Sequence, residues 1–88
     1  MRADRESAVR KIKIARGQID RILKMIDEDR YCIDIATQLM STQSLLKNVT
    51  KEILEAHVRC CVKDALESEK PEPKLDEALQ TIEKMMDF

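Results

Sequence analysis

The sequence has very few aromatic residues and almost no glycine. Among 88 residues there is no tryptophan, one tyrosine, one phenylalanine, one glycine and two prolines. A core without aromatic side chains has to be aliphatic, and a chain so poor in glycine and proline has few places to turn. Hydrophobic residues nevertheless make up 43% of the chain. This composition is typical of long helices, and it predicts an all-α single domain over residues 1–88.

Long apolar runs are also absent. No stretch approaches the ~18 residues that a membrane-spanning helix requires, and the first residues, MRADRE, lack the apolar run of a secretory signal. We therefore expect a cytosolic (cytoplasmic) protein. The three cysteines are an odd number and thiols stay reduced in that compartment, so metal binding or redox sensing is more plausible than a disulfide framework.

Apolar residues recur every three or four positions in three segments, which is the spacing of amphipathic helices. The first segment predicts a helix over about 4–28 that ends at the acidic stretch 27–29, because negative charge is unfavourable at a helix C-terminus. The second has no glycine or proline before Pro71 and predicts one long central helix over 31–67. Residues 68–74 contain Pro71 and Pro73 and predict a linker, after which a short third helix covers 74–86.

The central helix is too long for so small a domain to cover by folding on itself. Its apolar stripe should meet a second copy, and we expect an antiparallel four-helix bundle in the dimer. Residues 41–44, near the middle of the helix, are small and polar. Either they allow helices to approach closely, or one of them makes a specific polar contact.

His57 and Cys61 are four residues apart on the central helix, so their side chains lie on one face within chelating reach of a single ion. Cys32 is a third candidate ligand, but helical rise places it roughly 37 Å from His57 within one helix. An antiparallel partner would bring Cys32 of one subunit beside His57 and Cys61 of the other. Two thiolates and one imidazole form a soft, low-coordinate set that suits Cu(I). On spacing alone, the alternative is buried cysteines and a hydrogen-bonded surface histidine.

Three segments resemble those of copper-sensing operon repressors. They are residues 16–18 (RGQ), residues 31–34 (YCID) and residues 57–61 (HVRCC). The resemblance covers nearly the whole chain, and its Cys, His, Cys set corresponds to a Cu(I)-sensing site. It implies a three-helix protomer that forms dimers and then a homotetramer, a metal site bridged between protomers, and metal binding that weakens binding to operator DNA.

The resemblance also implies two residues around the site. Tyr31 precedes the first ligand, and Glu77 in the third helix is expected on the ring nitrogen of His57 that does not bind metal, where it would orient the imidazole. Cys60 complicates the ligand set because it lies three residues from His57. We favour Cys61 from the resemblance and the four-residue spacing together, which leaves Cys60 as a core residue or a site of oxidation.

DNA contact has to depend on charge, because no helix-turn-helix, zinc-finger or basic-zipper pattern is present. Residues 1–24 carry eight basic and three acidic residues, and residues 64–88 three basic and eight acidic ones. A basic amphipathic helix alone is often just a solvated face, whereas the resemblance implies salt-dependent phosphate binding. The residues expected to bind DNA are Arg5, Arg10, Lys11, Lys13, Arg16, Lys47 and Lys51. Asn48 stands where some copper-sensing members have an operator-contacting arginine, so we expect Lys47 or Lys51 to take that role.

Other sensors of the same family are alternatives. A persulfide sensor would use Cys32 and Cys61, although such members generally lack a histidine like His57. Arg2 in place of an N-terminal proline disfavours a formaldehyde sensor, and a single histidine disfavours nickel and cobalt sensors. Outside these sensors, the alternative is a copper-binding helical module without DNA activity. No pairing of nucleophile and base indicates an enzyme.

Overall fold

The structure, a computed structural model, describes residues 4–87 except for the side chain of Pro71, so Arg2 lies outside the described residues. Three helices follow one another: α1 over Arg5–Asp27, α2 over Cys32–Glu67 and α3 over Pro71–Met86. Residues 4–87 contain no strand, which confirms the all-α class with one long central helix. Over the same residues, no helix combines the length and apolarity needed to cross a bilayer.

α1 ends in a backbone motif centred on Asp29. The N–H of Arg30 donates to the carbonyl of Met25 and the N–H of Asp29 to the carbonyl of Ile26, each at 3.0 Å. This pair of bonds is a Schellman motif, which satisfies carbonyls of the last helical turn. Asp29 has a φ of 56°, a left-handed conformation that glycine usually takes but that aspartate tolerates. The helix therefore ends in a specific turn at Asp29, within the acidic stretch where the sequence predicted its end.

The starts of α2 and α3 have different causes. The carbonyl of Tyr31 accepts from the N–H groups of Asp34 and Ile35, at 3.0 and 3.2 Å, so α2 begins directly after Tyr31.

α3 begins at Pro71, three residues before the predicted start at residue 74. Proline fits the first helical turn, because its fixed φ is helical and N–H groups there have no intrahelical acceptor. The linker is therefore shorter than predicted and contains only residues 68–70.

The described chain divides into two compact units. The first contains residues 6–49, and the second contains residues 4–5 and 50–87. Residues buried in the first unit are Ala8, Ala15, Ile22, Thr42 and Val49. Residues buried in the second unit are Cys61, Ala65 and Ala78. That residues 1–88 act as one domain stays a prediction.

Thr42 is the buried polar residue of the first unit, with 4% of its surface exposed. Its hydroxyl donates to Gln18 Oε1 at 2.7 Å, and the hydroxyl oxygen lies 3.2 Å from the carbonyl oxygen of Gln38. A hydroxyl carries a single proton, so the shorter contact with Gln18 is the stronger hydrogen bond. Of the two interpretations of residues 41–44, the specific polar contact is the one that the structure shows.

Candidate metal centre

Three potential metal ligands of the second unit lie together. The ligand atoms of His57, Cys61 and Glu77 all lie within 4.8 Å of one another. His57 and Cys61 stand on successive turns of α2, and Glu77 stands on α3. Helical periodicity brings the first two onto one face, and α3 adds the carboxylate to that face.

The thiol of Cys61 and the imidazole of His57 are at a chelating separation. Cys61 Sγ lies 3.4 Å from His57 Nε2. Metal bonds of about 2.0 Å to nitrogen and about 2.3 Å to sulfur put two ligands of one ion roughly 3.5 Å apart. Cys61 is 2% exposed, whereas 38% of the His57 side chain is exposed. The pair therefore joins a buried thiol to an imidazole that reaches the surface.

Glu77 contacts the same ring nitrogen. Its Oε1 lies 3.2 Å from His57 Nε2. A carboxylate only accepts hydrogen bonds, so this bond requires the proton on Nε2 and leaves the lone pair of a neutral ring on Nδ1. Glu77 was predicted on the nitrogen that does not bind metal. The structure does bring Glu77 to the imidazole. However, Cys61 and Glu77 both approach Nε2, whereas the prediction had each of them at a different ring nitrogen.

Neither of the other two cysteines belongs to this group. Cys60 is half-buried, and consecutive helix positions point about 100° apart. Among the described residues, the group takes its thiol from Cys61. Cys32 begins α2 in the first unit and is exposed, and Tyr31 beside it is 65% exposed. The structure thus brings together two of the three predicted ligands and leaves Cys32 on the surface of the protomer.

Most of the predicted DNA-binding residues are exposed. Lys11 is the exception, because it is half-buried and its Nζ donates to Asn48 Oδ1 at 3.0 Å. Asn48 of α2 therefore holds a lysine of α1. The exposed members of the set are Arg5, Arg10, Lys13, Arg16, Lys47 and Lys51.

The chain matches the family model of the metal-sensitive transcriptional repressors over residues 4–86. It belongs to this family. The copper-sensing transcriptional repressor CsoR of Bacillus subtilis is 35% identical over 81 residues, which cover 92% of this chain and 80% of the relative. The copper-sensing transcriptional repressor RicR of Mycobacterium tuberculosis is 32% identical over 84 residues, which cover 93% of this chain and 88% of the relative.

Two solved structures are similar to this one. The copper-sensing repressor CsoR with Cu(I) from Geobacillus thermodenitrificans is 32% identical, with 92% of this chain and 84% of that chain covered and a TM-score of 0.76. The nickel-responsive transcriptional regulator InrS is 21% identical, with 97% and 96% covered and a TM-score of 0.84, and shares the fold. The resemblance to copper-sensing repressors is thereby confirmed. Membership of the family implies DNA binding and self-association, and the family consists of repressors rather than enzymes.

Proposed function

We propose that the chain is a Cu(I)-responsive repressor. Its apo form binds operator DNA, and Cu(I) binding lowers that affinity and derepresses copper-resistance genes. The observation that carries the proposal is the 3.4 Å pair of Cys61 Sγ and His57 Nε2 on one face of α2. A second thiolate added to this pair makes the soft, low-coordinate set that Cu(I) prefers. The copper-sensing relatives support the same metal.

The third ligand in this proposal is Cys32 of the partner subunit. A helix rises about 1.5 Å per residue, so a thiol about twenty-five positions earlier on the same helix cannot reach the ion. Cys32 is exposed and therefore accessible to a second chain. Antiparallel α2 helices related by a two-fold axis bring each Cys32 to the opposite pair and form two equivalent sites.

Self-association is supported by apolar side chains of α1 that a single protomer leaves exposed. Ile12, Ile19 and Leu23 share one face of α1 and are 46%, 46% and 57% exposed. Burying such a face against another copy is favourable, because apolar surface is removed from water. We propose that dimers form first and that two dimers form the DNA-binding homotetramer.

Glu77 connects the proposed site to α3. Bound Cu(I) supplies a soft acceptor for two thiolates and one imidazole. An ion bound to one ring nitrogen of His57 would leave the N–H of the other for Glu77, and that hydrogen bond would hold α3 against α2. Because Cys61 and Glu77 both approach Nε2 in the protomer, the imidazole has to turn for the two contacts to use different nitrogens. DNA affinity changes only if the two states of the protein contact DNA differently. The state with α3 held in this way is the one that binds DNA less tightly.

Mixing two inactive variants tests whether the site lies between subunits. Cys32→Ala subunits keep His57 and Cys61, and Cys61→Ala subunits keep Cys32. Each variant alone should lose tight Cu(I) binding in an anaerobic titration against a competing chelator, and refolding them together should restore one of the two sites in each mixed dimer. The matched control mixes Cys32→Ala with a double variant that lacks both Cys32 and Cys61. Equal Cu(I) binding by the two mixtures would overturn the intersubunit assignment.

Retardation of a promoter fragment tests the response. The apo protein should retard its operator, and about one Cu(I) per subunit should release it.

A persulfide sensor is the second candidate function, because Cys32 is exposed. The burial of Cys61, which is 2% exposed, counts against it, since a reactive thiol has to be accessible. Release by an organic persulfide with no release by Cu(I) would replace the copper proposal.

A further inference from the structure

We propose that one face of α1 is a continuous phosphate-binding stripe centred on Gly17. The stripe consists of Arg10, Lys13, Gly17, Arg21 and Lys24. This inference rests on the proposed DNA-binding function, and it adds Gly17, Arg21 and Lys24 to the surface expected from the sequence. It also gives α1 a defined orientation on the DNA.

The spacing of these residues places them on one side of the helix. Successive members are three or four residues apart, so they follow one face of α1. All five are exposed, and the buried positions of α1 lie on the opposite face, at Ala8, Ala15 and Ile22. From residue 10 to residue 24 the stripe is about 21 Å long. A DNA strand presents a phosphate about every 3.4 Å along its axis, so the stripe can contact several phosphates.

No acidic residue lies within the stripe between Arg10 and Lys24. Asp20 is the only acid of residues 7–26 and stands at the edge of the stripe, and Glu6 precedes Arg10 by about one turn. Arg21 and Lys24 also line an open depression of about 500 Å³ with Arg30 and Gln38. Its one acid, Glu28, lies 3.6 Å from Arg30. Positive charge is therefore in excess along the whole stripe.

Gly17 has no role that the protomer itself requires. Its φ is not positive, and a Cβ atom built on it would meet nothing within 4 Å. Glycine inside a helix destabilises the folded state relative to alanine, so the fold of one chain gains nothing from it. A position without a side chain lets another backbone approach closely. We assign that role to the sugar-phosphate backbone of the operator.

Lys11 and Arg16 of α1, both expected from the sequence to bind DNA, lie off this stripe. The side chain of Lys11 contacts α2, where its Nζ donates to Asn48 Oδ1 at 3.0 Å. Arg16 precedes Gly17 directly and so points to the side of the stripe. Removal of the Lys11 side chain should therefore weaken DNA binding less than removal of the Arg21 side chain.

The double variant Arg21→Ala/Lys24→Ala tests the stripe, with binding of a fluorescent operator fragment measured over a series of salt concentrations. We expect operator affinity at low salt to fall by about tenfold or more, and the log–log salt slope to become shallower by about one for each phosphate that is no longer neutralised. The control Lys63→Ala/Lys84→Ala removes two exposed lysines elsewhere and should bind within about twofold of wild type. If wild type binds the operator and the two double variants bind it with equal affinity, the stripe is wrong but the repressor proposal stands. If wild type binds no operator, the repressor proposal fails and the stripe with it.

Gly17→Leu tests the close approach separately. Since the space around Gly17 is open, the variant should unfold at no lower temperature than wild type and keep its oligomeric state. We expect its operator affinity to fall by about tenfold, and that of Gly17→Ala to fall less. Unchanged DNA affinity would contradict the close approach, and a changed oligomeric state would assign Gly17 to a subunit interface instead.

Discussion

Glu77 Oε1 on α3 lies 3.2 Å from His57 Nε2 on α2, so a candidate metal ligand is in direct contact with a carboxylate of another helix. The two side chains are 48% and 38% exposed, and polar contacts this open to water contribute little to stability. The contact matters instead for the orientation of the ring. A carboxylate that accepts an imidazole N–H fixes the tautomer and position of a ligating histidine.

Glu77→Gln should therefore weaken Cu(I) binding by about 10–100-fold and reduce the effect of Cu(I) on DNA affinity. The unfolding free energy should change by less than about 0.5 kcal/mol, as is usual at exposed sites. Competition with a Cu(I) chelator measures the first effect, and operator binding with and without Cu(I) the second. Glu83→Gln, an exposed change on the same helix, is the matched control. Tighter Cu(I) binding by Glu77→Gln would mean that the carboxylate competes with the ion for Nε2.

Cys60 and Cys61 should differ sharply as ligands. Cys61 Sγ lies 3.4 Å from His57 Nε2, whereas Cys60 points to another side of the helix. We expect Cys61→Ala to lower Cu(I) affinity by at least about a hundredfold, since removing even an outer partner of a ligand costs about 10–100-fold. Cys60→Ala should keep one tight Cu(I) per subunit in the same anaerobic titration. Loss of tight binding in Cys60→Ala, with retention in Cys61→Ala, would show that the wrong thiol has been assigned.

The extent of α2 could be predicted almost to the residue, because its apolar period continues without glycine or proline from residue 31 to residue 67. The start of α3 could not be predicted in the same way. Pro71 and Pro73 suggested a linker, although both fit the first turn of a helix that begins at Pro71. Proline marks a boundary, but the residue alone does not show on which side of it the helix lies.

The candidate site was predictable to a similar extent. Four-residue spacing was sufficient to place His57 beside Cys61, because both stand on one helix. Contacts between helices depend on how the helices pack, which periodicity does not specify. The contact of Glu77 with His57 was expected only from the family resemblance, and the partner of Thr42 on α1 was not foreseen.

Asp29→Gly should stabilise the protein. The left-handed conformation of Asp29, with a φ of 56°, costs an L-residue roughly 1–2 kcal/mol, and glycine adopts it without that penalty. Glycine also increases the entropy of the unfolded chain, so we expect a net gain of about 0.5–1 kcal/mol in urea unfolding. Asp34→Gly, in the first turn of α2, is the contrasting variant and should destabilise. A decrease in stability in Asp29→Gly would show that the aspartate side chain contributes more than its conformation costs.

Thr42→Val should destabilise the first unit, because it removes the hydroxyl that donates to Gln18 Oε1 at 2.7 Å in a site that is 4% exposed. Valine fills the same space but leaves the amide oxygen of Gln18 without this donor, which costs about 1–3 kcal/mol. Thr37→Val is the matched control, since its exposed hydroxyl donates only to the carbonyl of Ile33 in its own helix, at 2.8 Å. That variant should change the unfolding free energy by less than about 0.5 kcal/mol. A double-mutant cycle with Gln18→Ala, followed by urea unfolding, should give a coupling of about 0.5–3 kcal/mol, and a coupling near zero would contradict a stabilising role for this contact.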